Sequence, residues 1–275
     1  MNRFKSMDKI VRGAGAALEL RSLSLWPAEK AGQAVACDIS FAVTPGRTMA
    51  LIGESGAGKT SLALAIMGLW PGDKSGHIYF GGQELGGAAG PDWGSLRGRR
   101  LVLMMQDPTA SLNPVLTIGY QLREILRFRR GPAKTVAKAE ALACLERVGL
   151  APAGEIARLY LHELSGGMAQ RAALALALAC EPQFLIADEP FSALDPETAA
   201  DQIELLKGYR ARLGFSLLLI THDLRLARDL ADDVVVLRGG LVVEAGDIKE
   251  IFAGPKAEYT ADLLAAAGLT EKARV

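Results

Sequence analysis

The stretch Gly53 to Ser61 reads GESGAGKTS and satisfies G-x-x-x-x-G-K-[ST] at every fixed position. Its residue types suit one task, holding a phosphate chain. Gly53, Gly56 and Gly58 let the backbone turn tightly and approach a ligand without a Cβ in the way. The amides that they share with Glu54, Ser55 and Ala57 then converge as an anion cradle at the start of a helix. Lys59 can reach the β- and γ-phosphates and the Thr60 hydroxyl can ligate Mg²⁺, with Ser61 following inside the cradle. The motif needs a strand before it and a helix after it. Thr48 to Ile52 reads as a short buried strand, and Ser61 to Gly68 as a helix. The chain is therefore expected to bind a nucleoside triphosphate.

A second group narrows the chemistry. Leu164 to Arg171 reads LSGGMAQR after His162-Glu163, so Ser165, Gly166 and Gly167 open a helical run and offer a second anion site. One chain cannot easily wrap both ends of a nucleotide with two such sites, whereas two chains head to tail can. The hydrophobic run Phe184 to Pro190 (FLIADEP) ends in Asp188, placed to hold a Mg²⁺ shell, and Glu189, placed to orient or deprotonate a water. Ser192 to Asp195 (SALD) follows at once. His222 lies at the end of the next strand, where an imidazole can sense a γ-phosphate, and Gln106 can add an amide oxygen to the Mg²⁺ or water shell. Taken singly, two acids at a strand end describe a solvated turn, a lone histidine a structural one, and a loop glutamine nothing. Their order beside the phosphate loop gives them meaning. Thr60, Gln106 and Asp188 form the expected metal set, and Lys59, Glu189 and His222 the catalytic one.

These groups need strands to present them. Leu18 to Leu25 alternates apolar and polar residues, as a half-buried strand does, and Ala36 to Val43 gives a second such stretch. His77 to Phe80 reads as a short strand, Gly86 to Gly90 as a loop and Leu101 to Met105 as a buried strand. From Thr117 to about Leu161 the character is helical, with Val136, Leu142, Leu145 and Val148 on one face and Gly149 as a stop. Phe184 to Ala187 and Leu217 to Ile220 read as central parallel strands, and Val234 to Glu244 as a hairpin around Arg238-Gly239-Gly240. The expectation is an α/β core with antiparallel strands attached and a helical lobe inserted at about 107–165.

With 31 basic and 31 acidic residues the chain has no electrostatic footprint for nucleic acid, and no nucleic-acid partner is expected. Cys37, Cys144 and Cys180 have neither metal nor CxxC spacing and read as small buried apolar residues of a reduced, cytoplasmic protein. The longest apolar run, Ala172 to Cys180, is far short of the ~20 residues of a spanning helix. Residues 1–17 carry charge without an apolar signal core and read as a lead-in, and 266–275 as a tail.

Together GESGAGKT, Gln106, LSGGM, LIADEP, SALD and His222, in this order, resemble the nucleotide-binding subunit of an ABC transporter over about residues 18–265. QDPTASLNP, HELSGGMAQR and GPKAEYTADLL look more specifically like the peptide and nickel importer branch, and Met168 is similar to the signature of the first of its two ATPase subunits. The resemblance implies a P-loop NTPase fold of ABC type, with an antiparallel β subdomain and a helical lobe. It implies an ATPase that uses ATP and Mg²⁺ to power an importer of peptides, nickel or metal chelates. It also implies integral membrane permease subunits, a second ATPase subunit (a heterodimer favoured over a homodimer), an external substrate-binding protein, and a peripheral position on the cytoplasmic face of the membrane. Two departures stand out. No cysteine follows Cys180, so the iron–sulfur extension of longer branch members is not expected. Trp26, the one aromatic near the family's adenine-stacking position, sits a residue out of register beside Pro27. A soluble ABC ATPase of DNA repair or translation would bring a long coiled coil, zinc cysteines or a tandem duplication. A P-loop kinase or GTPase would carry neither LSGGM nor SALD.

Overall fold

The computed structural model describes residues 15–28, 32–86, 90–130 and 134–269. Most of the 1–17 lead-in, much of the Gly86 to Gly90 loop, the end of the tail and the side chain of Val136 lie outside them. Among the described residues the strands are β1 (Leu18–Trp26), β2 (Ala36–Val43), β3 (Thr48–Gly53), β4 (Asp73–Phe80), β5 (Gln83–Glu84), β6 (Leu101–Met104), β7 (Phe184–Asp188), β8 (Ser216–Ile220), β9 (Asp233–Arg238) and β10 (Leu241–Asp247). The chain divides into two compact units, residues 1–93 with 216–275, and residues 94–215.

The first unit holds an antiparallel sheet in the order β2-β1-β4-β5. Apolar residues of β1 change parity between Leu20 and Leu23, which in a flat strand would send Leu23 and Leu25 to the opposite face. A bulge prevents this. Ser22 takes φ 47°, the pairing slips between Leu20 and Leu23, and Leu18, Leu20, Leu23 and Leu25 are all fully buried. Gly76 is the accommodating residue on β4, where a Cβ would lie 2.2 Å from the Ser22 carbonyl oxygen. β4 therefore begins at Asp73, earlier than the apolar signal at His77 suggested, because its first half is polar and exposed. In β2 a matching slip at Cys37-Asp38 (φ 52° at Asp38) turns Cys37 outward, so the expectation that all three cysteines are buried fails there.

The same unit holds the parallel strands that carry the phosphate loop. β3 lies between β8 and β9 and runs parallel to both, with β10 antiparallel to β9. All six residues of β3 and all five of β8 are buried, as strands covered on both faces must be. Ala50, Ile52, Val234 and Val236 pack against Leu224, Ala227, Ile248, Ile251 and Leu264 from the helices Leu224–Leu230, Ile248–Ala253 and Glu258–Ala266.

In the second unit β6 and β7 pair in parallel, Leu101 opposite Phe184 and Met104 opposite Ala187. Helices fill the rest: Pro108–Ser111, Ile118–Arg130, Lys134–Arg147, Ala153–Ile156, Gly166–Ala179 and Pro196–Leu213. The helical stretch expected at 107–165 lies inside this unit. Its Lys134–Arg147 helix and the turn after it bury Ala137, Ala141, Cys144, Leu145 and Val148, while Leu142 is only half-buried. The buried face is rotated from the one the large apolar residues suggest, because it is built on small residues, Ala137, Ala141 and Cys144, which let a neighbouring helix come close. Helix Gly166–Ala179 buries nearly every residue from Ala169 on, as a helix apolar on all sides should.

Candidate functional site

The first unit holds the residues expected to bind phosphate. Gly53 ends β3 beside Leu237 of β9, and a Cβ there would lie 2.2 Å from the Leu237 carbonyl oxygen. Gly58 adopts φ 94° as the residue before helix Lys59–Ile66, and its Cβ would meet the Val35 carbonyl oxygen at 2.6 Å. Both are glycine because backbone passes where a side chain would stand. Lys59, first residue of that helix, folds its ammonium over the loop and donates to the carbonyl oxygens of Gly53 and Glu54, each at 2.8 Å. Glu54, Ser55, Gly56 and Thr60 are exposed, Ala57 is buried and Ser61 is half-buried.

His222 belongs to the same unit. β8 runs parallel to β3 with Leu51 opposite Ile220, and Thr221 N–H donates to the Leu51 carbonyl at 3.3 Å. His222 thus leaves the strands at the edge where the phosphate loop leaves β3, the end at which parallel α/β sheets hold ligands. Its neighbours are fixed on both sides. Thr221 is fully buried, and Asp223 caps helix Leu224–Leu230 by accepting from Arg225 and Leu226 N–H.

A residue that sequence reasoning passed over reaches the loop from the far end of the chain. Glu54 N–H donates to the Tyr259 hydroxyl at 3.1 Å. The Arg238 guanidinium, one residue after Leu237, lies 4.7 Å from the Tyr259 ring centroid. Trp26, the expected adenine neighbour, ends β1 half-buried, with its carbonyl accepting from Trp70 Nε1 at 3.2 Å.

The second unit holds the expected acids and Gln106. β7 is buried throughout and delivers Asp188 at 2% and Glu189 at 8% exposure. Because β6 and β7 are parallel and in register, Gln106 leaves the pair at the same edge. Gln106 is exposed, and the turn after it is held by Asp107, which caps Pro108–Ser111 and accepts from Thr109 N–H at 2.8 Å and Thr109 Oγ1 at 2.5 Å. Those two bonds hold the Asp107 carboxyl below its usual range.

Glu189 takes φ 47°, a left-handed conformation that a branched or long side chain adopts only when its surroundings hold it there. Its carbonyl oxygen accepts from Gln170 Nε2 at 3.0 Å, from Ser192 Oγ at 3.1 Å and from Ser192 N–H at 3.3 Å. Gln170 completes its own amide by accepting from Ala193 N–H at 2.9 Å and is 1% exposed. Sequence reasoning missed Gln170, although a glutamine inside the apolar run of MAQRAALALALAC is itself a signal, because a buried amide must find partners. Asp195 caps helix Pro196–Leu213 by accepting from Thr198 N–H at 2.9 Å, which lowers its pKa.

Ser165 caps helix Gly166–Ala179 and accepts from Met168 N–H at 3.2 Å, with Gly166 exposed and Gly167 half-buried beside it. Glu163 accepts from Tyr160 N–H at 2.8 Å and closes the preceding turn.

Each unit offers its own kind of donor. One unit offers loop amides, an ammonium and the Thr60 hydroxyl. The other offers the Gln106 amide and Asp188 carboxylate, oxygen donors of the kind Mg²⁺ takes.

Against known proteins, the model of a family described as "ABC transporter" matches residues 36–192. A putative peptide import ATP-binding protein of Brucella abortus (strain 2308) is 42% identical over 237 residues, covering 82% of this chain and 70% of the relative. The oligopeptide transport ATP-binding protein AppD of Bacillus subtilis (strain 168) is 40% identical over 252 residues, covering 90% and 77%. The dipeptide transport ATP-binding protein DppD of Escherichia coli (strain K12) is 40% identical over 231 residues, covering 83% and 71%. Among solved structures, a dimeric ATP-binding cassette in a post-hydrolysis state bound to ADP and phosphate superposes with a TM-score of 0.75 at 24% identity, covering 84% of this chain and 98% of the other, a likeness of fold.

Proposed function

We propose the role of this chain from one premise: it belongs to the ABC transporter family, and it is an ATP-binding, ATP-hydrolysing subunit of a peptide importer. The observation that carries the cargo class is identity of 40% or more, over four-fifths of the chain or more, to relatives named for peptide, oligopeptide and dipeptide transport. None of these is named for nickel, and nothing favours DNA repair or translation.

In this reading residues 18–265 form the ATPase domain, with the lobe at 107–165 set aside for contact with another protein. The loop 53–61 binds the triphosphate through its amides, and Lys59 neutralises the β- and γ-phosphates. Thr60, Gln106 and Asp188 hold Mg²⁺, which when bound draws charge from the phosphate oxygens. Glu189 orients the attacking water and accepts its proton. His222 fixes the terminal phosphate from the edge it shares with the loop. Ser165, Gly166 and Gly167 complete the site of a second ATPase chain, and Asp195 holds the helix behind that turn.

The chain works with membrane permease subunits and as part of a cassette pair. No helix among the described residues is long and apolar enough to cross a membrane, so the permease subunits keep it at the cytoplasmic face, and an external binding protein delivers the peptide. The pair is a heterodimer, since Met168 departs from the signature most ATPases carry, and a face shaped for a different partner need not match itself. Isolation of the complex through this chain tests both points. Polytopic membrane proteins and a second ATPase are expected with it, and hydrolysis by the complex should exceed the sum of the separate chains. A tight, fully active homodimer would remove the heterodimer and leave the transport ATPase standing.

A further inference from the structure

The Glu189 turn raises a question that its motif does not answer. A carboxylate that must meet one water has a backbone in a conformation that is strained for a non-glycine residue, so something has to hold it. Ser192 is too local to do this alone, because it moves with the turn it closes. Gln170 is anchored elsewhere, in helix Gly166–Ala179, and is buried to 1%. Its amide bonds both ends of the turn, giving a hydrogen to the Glu189 carbonyl and taking one from Ala193 N–H. One turn earlier, Gly167 lies against the same segment, with its virtual Cβ 3.3 Å from Leu194 Cδ2 and 3.6 Å from the Ala193 carbonyl oxygen. Residues 167 and 170 share a helix face, so that face and the turn 189–194 pack as one piece.

We propose that Gln170 is a positioning residue for hydrolysis, holding Glu189 in its working conformation through an amide that must donate to Glu189 and accept from Ala193 at once. The proposal rests on the reading of Glu189 as the water-orienting base. Because the brace grows from the helix that Ser165 opens, the anion site offered to a partner and the base used by this chain share one support.

The chemistry of the brace makes it testable apart from simple packing. Gln170→Leu keeps the volume and loses both bonds. Gln170→Glu keeps the shape, and its carboxyl can imitate the amide only when protonated, with O–H donating to Glu189 and C=O accepting from Ala193. Ionised, it repels the Glu189 carbonyl. In the complex isolated through this chain, Gln170→Leu should lower kcat ~10-fold or more, a share of what a positioned base provides, with the ATP dissociation constant unchanged within ~2-fold. Activity of Gln170→Glu relative to wild type should rise as pH falls, while that of Gln170→Leu stays flat. Hydrogen exchange at Ala193 N–H in the chain alone should quicken in Gln170→Leu, since its acceptor is gone.

Wild-type kcat in Gln170→Leu beside an inactive Glu189→Gln would overturn the inference and leave the Glu189 reading intact. Equal loss in both Gln170 variants at every pH would also overturn it, by reducing Gln170 to packing. Near-normal hydrolysis by Glu189→Gln would remove the Glu189 reading and this inference with it. Should Gln170→Leu not fold, the pH response of Gln170→Glu decides alone.

Discussion

The loop Gly53–Ser61 and the turn Glu189–Asp195 both hold backbone in conformations an ordinary residue avoids, and they do so by opposite means. The loop uses glycine. At Gly53 and Gly58 the absence of a side chain admits the carbonyls of Leu237 and Val35, and in the proposed mechanism the loop amides are the binding groups. The turn cannot use that device, because in the proposed mechanism the side chain at position 189 is the reagent. Glu189 keeps its carboxylate, and its φ of 47° is offset by hydrogen bonds from Gln170 and Ser192 to its carbonyl. Three such bonds, worth ~0.5–1.5 kcal/mol each, are enough against a strain of ~1–3 kcal/mol. Where backbone is the ligand, strain is removed by deleting a side chain. Where a side chain is the reagent, strain is kept and braced from a distance.

The largest effect should come from breaking the chemistry of the turn without touching its brace. Glu189→Gln leaves the backbone carbonyl, and hence the bonds from Gln170 and Ser192, as they are. Its kcat should fall ~10²–10⁴-fold, the usual loss of a positioned general base, with ATP affinity retained. Single-turnover hydrolysis alongside an ATP titration measures both. A parallel fall in affinity would mean that Glu189 shapes the binding loop, against the division of labour drawn here.

A smaller effect, on stability rather than rate, separates the two reasons for glycine within the loop. Gly53→Ala meets the Leu237 carbonyl at 2.2 Å and must push β9 away, an overpacking cost of ~1–3 kcal/mol that adds to the strain of its own φ of 150°. Gly56→Ala meets nothing within 4 Å and suffers only from its φ of 82°, for ~1–2 kcal/mol. Denaturant midpoints should therefore fall further for Gly53→Ala. Equal falls would show that conformation alone, and not the approach of β9, demands glycine at both.

How much could be read without coordinates follows the same division. The loop was legible because its function is local: glycine spacing, Lys59 and the buried strand before it lie in one short stretch. Strand β7 was legible because a run of Phe184 to Ala187 has few other uses. What escaped reading depends on pairings across the chain. Cys37 is exposed because β2 bulges against β1, and the parity change in β1 is visible in sequence but resolves only when Gly76 stands opposite Ser22. Gln170 and Tyr259 act on residues 19 and 205 positions away, and nothing in the spacing of either motif points to them.

Tyr259 provides the smallest and sharpest test of the comparison, since it offers the loop one hydrogen bond as Gln170 offers the turn two. The settings differ. Glu54 is exposed, so its N–H can turn to water when the Tyr259 hydroxyl is removed, whereas Gln170 and the Glu189 carbonyl it bonds are buried. Tyr259→Phe keeps the ring, its packing against the helix cluster and the Arg238 contact at 4.7 Å, and removes only the acceptor. Solvent replaces most of what is lost, so stability should drop by no more than ~0.5–1 kcal/mol and ATP should bind at most a few-fold more weakly. kcat should not change, because nothing in this contact touches Glu189. Tyr259→Ala should cost more, by opening a gap against the helix cluster and freeing Arg238. Thermal unfolding and ATP titration of the two variants give the answer. A Tyr259→Phe loss as large as that of Gln170→Leu would mean that the loop too depends on a distant brace, and the contrast between a loop held by its own glycines and a turn held by its neighbours would fail.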